Sequence, residues 1–219
     1  NNKMRVWEEP RPEYEYIIGV DVSMGRERDY SAFHILNTYT GEQVAEFYSN
    51  RTPINELSQI LTKEANLYNN ALVIIERNTI GNNLIDWMFN VYEYDNLWMD
   101  ERNDFGLQVT VKNREEILNR LEEYIRNNNI KINSKRTTGE LLTFIITDGG
   151  RIEADKGKHD DLIMSLGVAV RLLHTLVDNN PLEASKNEHR IQKPLEPISY
   201  KVKNAFGDVS DEDLKWLMK

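Results

Sequence analysis

The period of apolar and polar positions changes several times along the chain, and each change predicts an element. Tyr14 to Val22 reads Tyr-Glu-Tyr-Ile-Ile-Gly-Val-Asp-Val. That run is β-branched and aromatic enough for a buried strand, and Gly25 with the polar stretch Arg26 to Asp29 predicts a turn. Tyr30 to Asn37 resumes an apolar strand pattern, and Gln43 to Tyr48 follows the turn residues Tyr39-Thr40-Gly41. The opening is therefore expected to be a three-stranded antiparallel meander of consecutive hairpins.

The period then lengthens. Pro53 opens a helix whose apolar positions Ile54, Leu57, Ile60, Leu61 and Leu67 recur at three- and four-residue steps, as one buried face requires. Ala71 to Ile75 is short and wholly apolar, which suits a parallel strand covered on both faces. Glu76 follows it at once. After Asn78 and Gly81 a second helix is expected, with Leu84, Ile85, Met88 and Phe89 inward. Between residues 96 and 111, Leu97-Trp98-Met99 and Leu107 to Val111 are candidate short strands. Helical period returns from Arg114 to Asn127, with Ile117, Leu118, Leu121 and Ile125 on one face. Ile130 to Ile132 is a brief strand candidate. Thr138 to Ile145 is expected to be helical, started by Thr137 or Thr138, and Arg151 to Ala154 to be extended. His159-Asp160-Asp161 then caps a long helix striped by Ile163, Leu166, Val170 and Leu173. From Asn179 the period is lost among Pro181, Pro194 and Pro197, and only Asp211 to Met218 could form one more short helix. The expected organisation is one domain over residues 1–178 and an extension, 179–219, packed on it or tethered to it.

A meander followed by strand, helix, strand, helix is an α/β signature: a mixed central sheet with helices on both faces. Composition narrows the chemistry such a fold could carry. None of the 219 residues is cysteine, so disulfides, thiolate metal sites and Cys nucleophiles are excluded, leaving carboxylates, His and hydroxyls. There is no run of about 18 apolar residues, so no membrane span is expected. The start at Asn1 without a Met suggests a piece of a longer polypeptide. The net charge of -9 argues against tight binding of nucleic acid over the whole surface, so any such contact must use local basic patches.

Carboxylates stand where the pattern does not want them. Asp21 lies within the first strand pattern among Ile17, Ile18, Val20 and Val22, a costly place unless it is paired or metal-bound. Glu76 ends the other strongly apolar strand, and the Asp160/Asp161 doublet opens the long helix. Each alone has an ordinary explanation, as a turn residue, a solvent-facing exit or a helix cap. Jointly they can meet, because the first strand and the strand after the first crossover helix are expected to be neighbours. Clustered carboxylates raise one another's pKa unless a cation neutralises them, and all-oxygen ligation selects hard ions, Mg²⁺ or Mn²⁺. One or two such ions, about 4 Å apart when paired, suit in-line hydrolysis of a phosphodiester.

Gly19-Val-Asp21-Val-Ser-Met-Gly25 with Asp29-Tyr-Ser-Ala, Ile75-Glu76-Arg-Asn78, and Lys158-His-Asp-Asp161-Leu-Ile-Met-Ser-Leu166, in that order, resemble the nuclease domain of phage large terminase subunits, particularly the T-even-like DNA packaging motors. The resemblance spans roughly residues 14–176. It implies an RNase H-like fold and an endonuclease that cuts concatemeric double-stranded viral DNA. It implies further an ATPase domain in the full-length chain, a portal protein and a small terminase subunit as partners, and a site of action in the host cytoplasm. No Gly-x-x-x-x-Gly-Lys-Ser/Thr occurs, so the ATPase is expected to lie outside this chain. Carried over by position, Asp21 matches the first-strand acid, Glu76 the second-strand acid and Asp160/Asp161 the third, with the direct ligand of the doublet left open. Asp29 fits the extended first motif and fits a turn equally well.

Among the remaining residues, His159 could position a water or meet a phosphate, although a polar residue just before a helix is the commoner reading. His34 reads as a satisfied core histidine. Arg26, Arg28, Lys156 and Lys158 flank the acids and are the first candidates for phosphate contacts, ahead of Lys112, Arg114, Lys135 and Arg136. The four tryptophans are expected to be core or interface anchors. Another RNase H-like nuclease, such as a junction resolvase or hybrid nuclease, or a non-catalytic docking domain of the same fold, would carry a similar pattern.

Overall fold

The computed structural model describes residues 3–23, 30–146 and 152–179. Arg26, Arg28 and Asp29, and the tail with its candidate helix at Asp211 to Met218, lie outside the described residues.

A five-stranded mixed sheet forms the centre, ordered β1-β4-β3-β2-β5. The expected meander is present as β2 (Tyr16–Asp21), β3 (Ser31–Asn37) and β4 (Gln43–Ser49), paired antiparallel in sequence. A short strand that the apolar pattern does not signal, β1 (Met4–Val6), pairs with β4 along its outer edge. After α1 (Ile54–Leu67), β5 (Leu72–Ile75) returns parallel to β2, with Val20 opposite Ile75. Only a crossover helix can bring the chain back parallel, which is why the helical period sits between these two strands.

The sheet divides two apolar layers. Ile18, Val20, Phe33 and Val73 face α1 and α2 (Thr79–Asp86). Ile17, Leu36 and Ile74 face α3 (Val111–Arg126) and α5 (Asp161–Asn179). This is the expected mixed α/β, RNase H-like arrangement with helices on both faces. The approach of α5 to the sheet is tight at Gly19: a Cβ there would lie 2.4 Å from the Ala169 nitrogen and 2.4 Å from the Ser165 carbonyl oxygen.

Several expectations change once tertiary contacts are in place. Residues 97–99 and 107–111 do not form strands; single bridge pairs join Leu97 to Val73 and Leu107 to Glu76, covering the edge of β5. Val111 begins α3 instead, because the Thr110 hydroxyl and the Asn113 side chain form a capping box that starts the helix three residues before Arg114. Ile130 to Ile132 makes one bridge pair, between Lys131 and Glu42, rather than a strand. The helix expected at Thr138 to Ile145 is displaced to α4 (Lys135–Leu141), capped by the Ser134 side chain, and Phe144 enters the hairpin of β6 (Phe144–Ile146) and β7 (Ile152–Ala154). Phe89 points outward, 41% exposed, because the helix after α2 widens into a π-turn over Trp87–Val91 and rotates its face. Leu67 is likewise exposed at the end of α1.

Candidate active site

Asp21 is the last residue of β2, at the strand's C-terminal end rather than its middle. Glu76 follows β5, and its N–H donates to the Val20 carbonyl at 2.9 Å. The parallel register therefore sets Asp21 and Glu76 side by side. Alternation along each strand places both on the face of Ile17 and Ile74, the α5 face. Glu76 is held from behind: the Gly81 N–H and Ile80 N–H donate to the Asn78 side chain, and Gly81 packs so close to the Glu76 carbonyl that a Cβ would meet it at 1.9 Å. Beside it, Arg77 pairs with Asp100 and with Asp104, each at 3.0 Å, tying the 96–110 segment to the same strand end.

The doublet arrives from α5. Asp161 is its first residue, and the Met164 N–H donates to the Asp160 carbonyl at 2.8 Å, so Asp160 takes the cap position. The Asp160 side chain accepts from the Arg114 guanidinium at 2.5 Å. Asp161 is more buried, accepts a hydrogen bond from the Tyr30 N–H, and has His159 Nδ1 at 3.6 Å. His159 stands edge-on to the Tyr30 ring, which stacks on Tyr48 at 4.2 Å between centroids.

These acids sense one another. Burial raises the Asp21 carboxyl well above the usual range, and the charges of Glu76, Asp161 and Asp160 push it further. The contact between the two side chains raises Asp21 further and lowers Glu76, whose own carboxyl is nonetheless raised by burial. Burial, then the neighbouring Asp160, lifts Asp161 to about 6. Asp21 is thus within electrostatic reach of the other three carboxylates expected to converge, and Asp160 within reach of Glu76 and Asp161 as well.

A fifth carboxylate joins them. Glu140 on α4 is 8% exposed, accepts the Ile163 N–H at 2.9 Å in the first turn of α5, and is pushed up to about 8 by burial and then by Asp161 and Asp160. In the sequence Glu140 is one polar residue in a polar helix. Its only signal is a spacing of three and four residues from Thr137 to Glu140 and Leu141, the buried positions of α4.

Cationic candidates divide. Lys156 and Lys158 are exposed, a few residues before the doublet. Arg136 is committed elsewhere: it grips the buried Glu46 carboxylate with Nε at 2.7 Å and Nη2 at 2.6 Å, so the expectation of a phosphate contact there is replaced by a structural ion pair. His34 is the satisfied core histidine expected. The Leu162 carbonyl accepts from its Nε2 at 3.0 Å, the Gln43 amide donates to its Nδ1 at 2.6 Å, and burial depresses its pKa, keeping the ring neutral.

The donor set fits a hard cation: all oxygen, excess negative charge, and two or more carboxyls that only a positive charge would ionise together. Among the described residues no three such side chains are yet drawn into a coordinating cage. The Asp160 carboxylate is paired with Arg114.

No family model matches the chain. Among solved structures, the large terminase nuclease from thermophilic phage G20c with bound magnesium superposes with a TM-score of 0.65 at 23% identity, covering 78% of this chain and 88% of that one. The same nuclease with bound cobalt gives 0.65 at 22%, again over 78% and 88%. The Thermus phage P74-26 large terminase nuclease domain gives 0.62 at 24%, over 77% of this chain and 85% of that one. The sheet order, the parallel β2–β5 pair and the closing helix are therefore those of a known fold, and this chain has the RNase H-like fold of phage large terminase nuclease domains.

Proposed function

We propose that this chain is a divalent-metal-dependent endonuclease that cuts double-stranded DNA, the nuclease part of a viral packaging terminase acting on concatemeric genomes. One observation carries the reading: the charges of Glu76, Asp161 and Asp160, brought from distant parts of the sequence, act on the Asp21 carboxyl at one strand end of a fold shared with large terminase nucleases. Asp21 and Glu76 form the fixed wall of the site, because both sit on sheet strands, and the doublet forms the wall supplied by α5. These four residues would hold Mg²⁺ or Mn²⁺, one ion or two, which would supply Lewis-acid polarisation of the scissile phosphodiester. Lys156 and Lys158 orient the DNA by its phosphates, with Arg26 and Arg28 as further contacts. Glu140 positions the doublet by gripping the first turn of α5. The neighbours bearing magnesium, cobalt and zinc support a divalent ion without choosing among them. A terminase ATPase domain, portal protein and small terminase subunit are the partners this reading brings, and the host cytoplasm its place of action. No helix among the described residues is long and apolar enough to cross a membrane.

The test is nicking of supercoiled plasmid by the 219-residue chain in Mg²⁺, Mn²⁺ or EDTA. Cleavage is expected with either ion, none in EDTA, and a loss of at least about 100-fold in Asp21→Asn and in Glu76→Gln. Nicking that persists unchanged in both variants would refute the site. Strict preference for four-way junctions or RNA–DNA hybrids over linear duplex would redirect the reading to another RNase H-like nuclease.

A further inference from the structure

Among the described residues, Arg114 is an arginine that pairs with the acidic cluster. It lies in the first turn of α3, whose start is pinned by the Thr110–Asn113 capping box. One turn further on, Ile117 packs against Gly167 of α5 so closely that a Cβ at residue 167 would meet the Ile117 Cγ2 at 2.6 Å. The α3–α5 contact therefore sets where the guanidinium falls. It falls on Asp160 Oδ2 at 2.5 Å, with 30% and 39% of the two side chains exposed, and its charge also favours the ionised form of Glu76. A pair this exposed contributes little to stability, so its position between two of the acids calls for another explanation.

Guanidinium and a divalent ion are alternative answers to the same excess of negative charge. Arginine reaches a carboxylate with N–H groups near 2.8 Å and cannot gather several acids around one point, whereas a hard cation draws oxygens to about 2.0–2.6 Å. Resting on the nuclease reading above, we propose that Arg114 is a placeholder cation: it neutralises the Asp160 carboxylate until a divalent ion takes it, and the released guanidinium then contacts DNA phosphate. Metal loading and completion of the DNA-binding surface are one event. In this scheme Asp160 is the member of the doublet that changes partner, while Asp161, half-buried and bonded to the Tyr30 N–H, stays in place.

The experiment measures Mn²⁺ binding to the DNA-free 219-residue chain by calorimetry for wild type, Arg114→Gln, Arg114→Lys and Lys112→Gln. Removing the competitor is expected to tighten Mn²⁺ binding by up to about fivefold in Arg114→Gln, the range of a half-exposed ion pair. Arg114→Lys should fall between that variant and wild type. Lys112→Gln removes the same charge two residues away and should change binding less. In a second arm, DNA affinity is measured against salt with Ca²⁺ or EDTA present. Arg114→Gln should lower the salt slope by about one phosphate contact in Ca²⁺ and leave it unchanged in EDTA, where the wild-type guanidinium is occupied by Asp160. Mn²⁺ binding that is unchanged or weaker in Arg114→Gln overturns the proposal, as does an equal gain in Lys112→Gln. If Arg114→Gln fails to fold, Arg114→Lys with wild-type Mn²⁺ affinity and salt slope overturns it. Absence of Mn²⁺ binding by the wild type itself would refute the metal site, and with it both readings.

Discussion

Gly19→Ala tests how the fold positions the acids. The added Cβ would stand 2.4 Å from two backbone atoms of α5 and 2.6 Å from the Ala169 Cβ, against the 3.4 Å at which ordinary contact begins. Backbone of a packed helix cannot rotate aside as a side chain would, so α5 must retreat by about 1 Å. Overpacking of a dense core costs about 1–3 kcal/mol, and a clash with main chain on both sides belongs at the upper end. Alanine recovers about 0.5–1 kcal/mol through a less flexible unfolded chain and a better strand residue. The net loss is about 2 kcal/mol, a fall in Tm of roughly 4–8 °C for a domain of this size. Asp161 lies one turn from the contact at Ser165, so the same retreat moves the doublet relative to Asp21 on the neighbouring strand. A misplacement of about 1 Å is enough for a loss of about 100-fold in rate. Thermal denaturation followed by circular dichroism, and plasmid nicking well below the Tm, measure the two effects. Gly139→Ala is the control, since a Cβ on that α4 glycine has nothing within 4 Å and should be neutral or slightly stabilising. A Tm for Gly19→Ala within about 2 °C of wild type, or an equal loss in Gly139→Ala, would refute the reasoning.

Two further outcomes follow from the buried charges. Glu46 is wholly buried and accepts from Arg136 and from the Thr137 hydroxyl, so Glu46→Gln leaves a guanidinium without its counter-charge and should cost about 3 kcal/mol, read as a lower urea midpoint. A loss under about 1 kcal/mol would show that water already satisfies Arg136. In EDTA, Asp161 and Glu140, lifted from their ordinary values of 3.8 and 4.5 to about 6 and about 8, hold protons in the folded chain that the unfolded chain sheds. The folded state binds more protons, so stability is full below about pH 4 for these groups and is lost as pH climbs through 6 and 8. Melting temperature should therefore fall between pH 5 and 8.5, and saturating Mn²⁺ should flatten the slope. A Tm that rises over that range without metal would contradict the assigned burial of both acids.

How much of this was legible in the sequence depends on the range of the forces involved. Strand and helix periods are local, and so are the turn residues between them; the meander, the crossover helix and the long closing helix followed from those alone. So did the adjacency of Asp21 and Glu76, because a crossover connection leaves few places for the returning strand. The misplaced boundaries have equally local causes of a subtler kind: a Thr110–Asn113 capping box that starts α3 early, a Ser134 cap that moves α4, and a π-turn that sends Phe89 outward. Other features depend on which surfaces meet. Glu140 comes close to the other acids only because α4 docks its one buried carboxylate against the first turn of α5, and Arg136 is drawn into an ion pair only because Glu46 is buried beside it. Arg114 meets Asp160 across 46 residues of chain because Gly167 lets α3 and α5 close together. The sequence by itself determined the elements, their order and the acids that could serve a metal, since these rest on short-range pattern. Tertiary structure alone decided which charges pair, because such pairing depends on distances of a few ångströms between helices that the period of the chain does not encode.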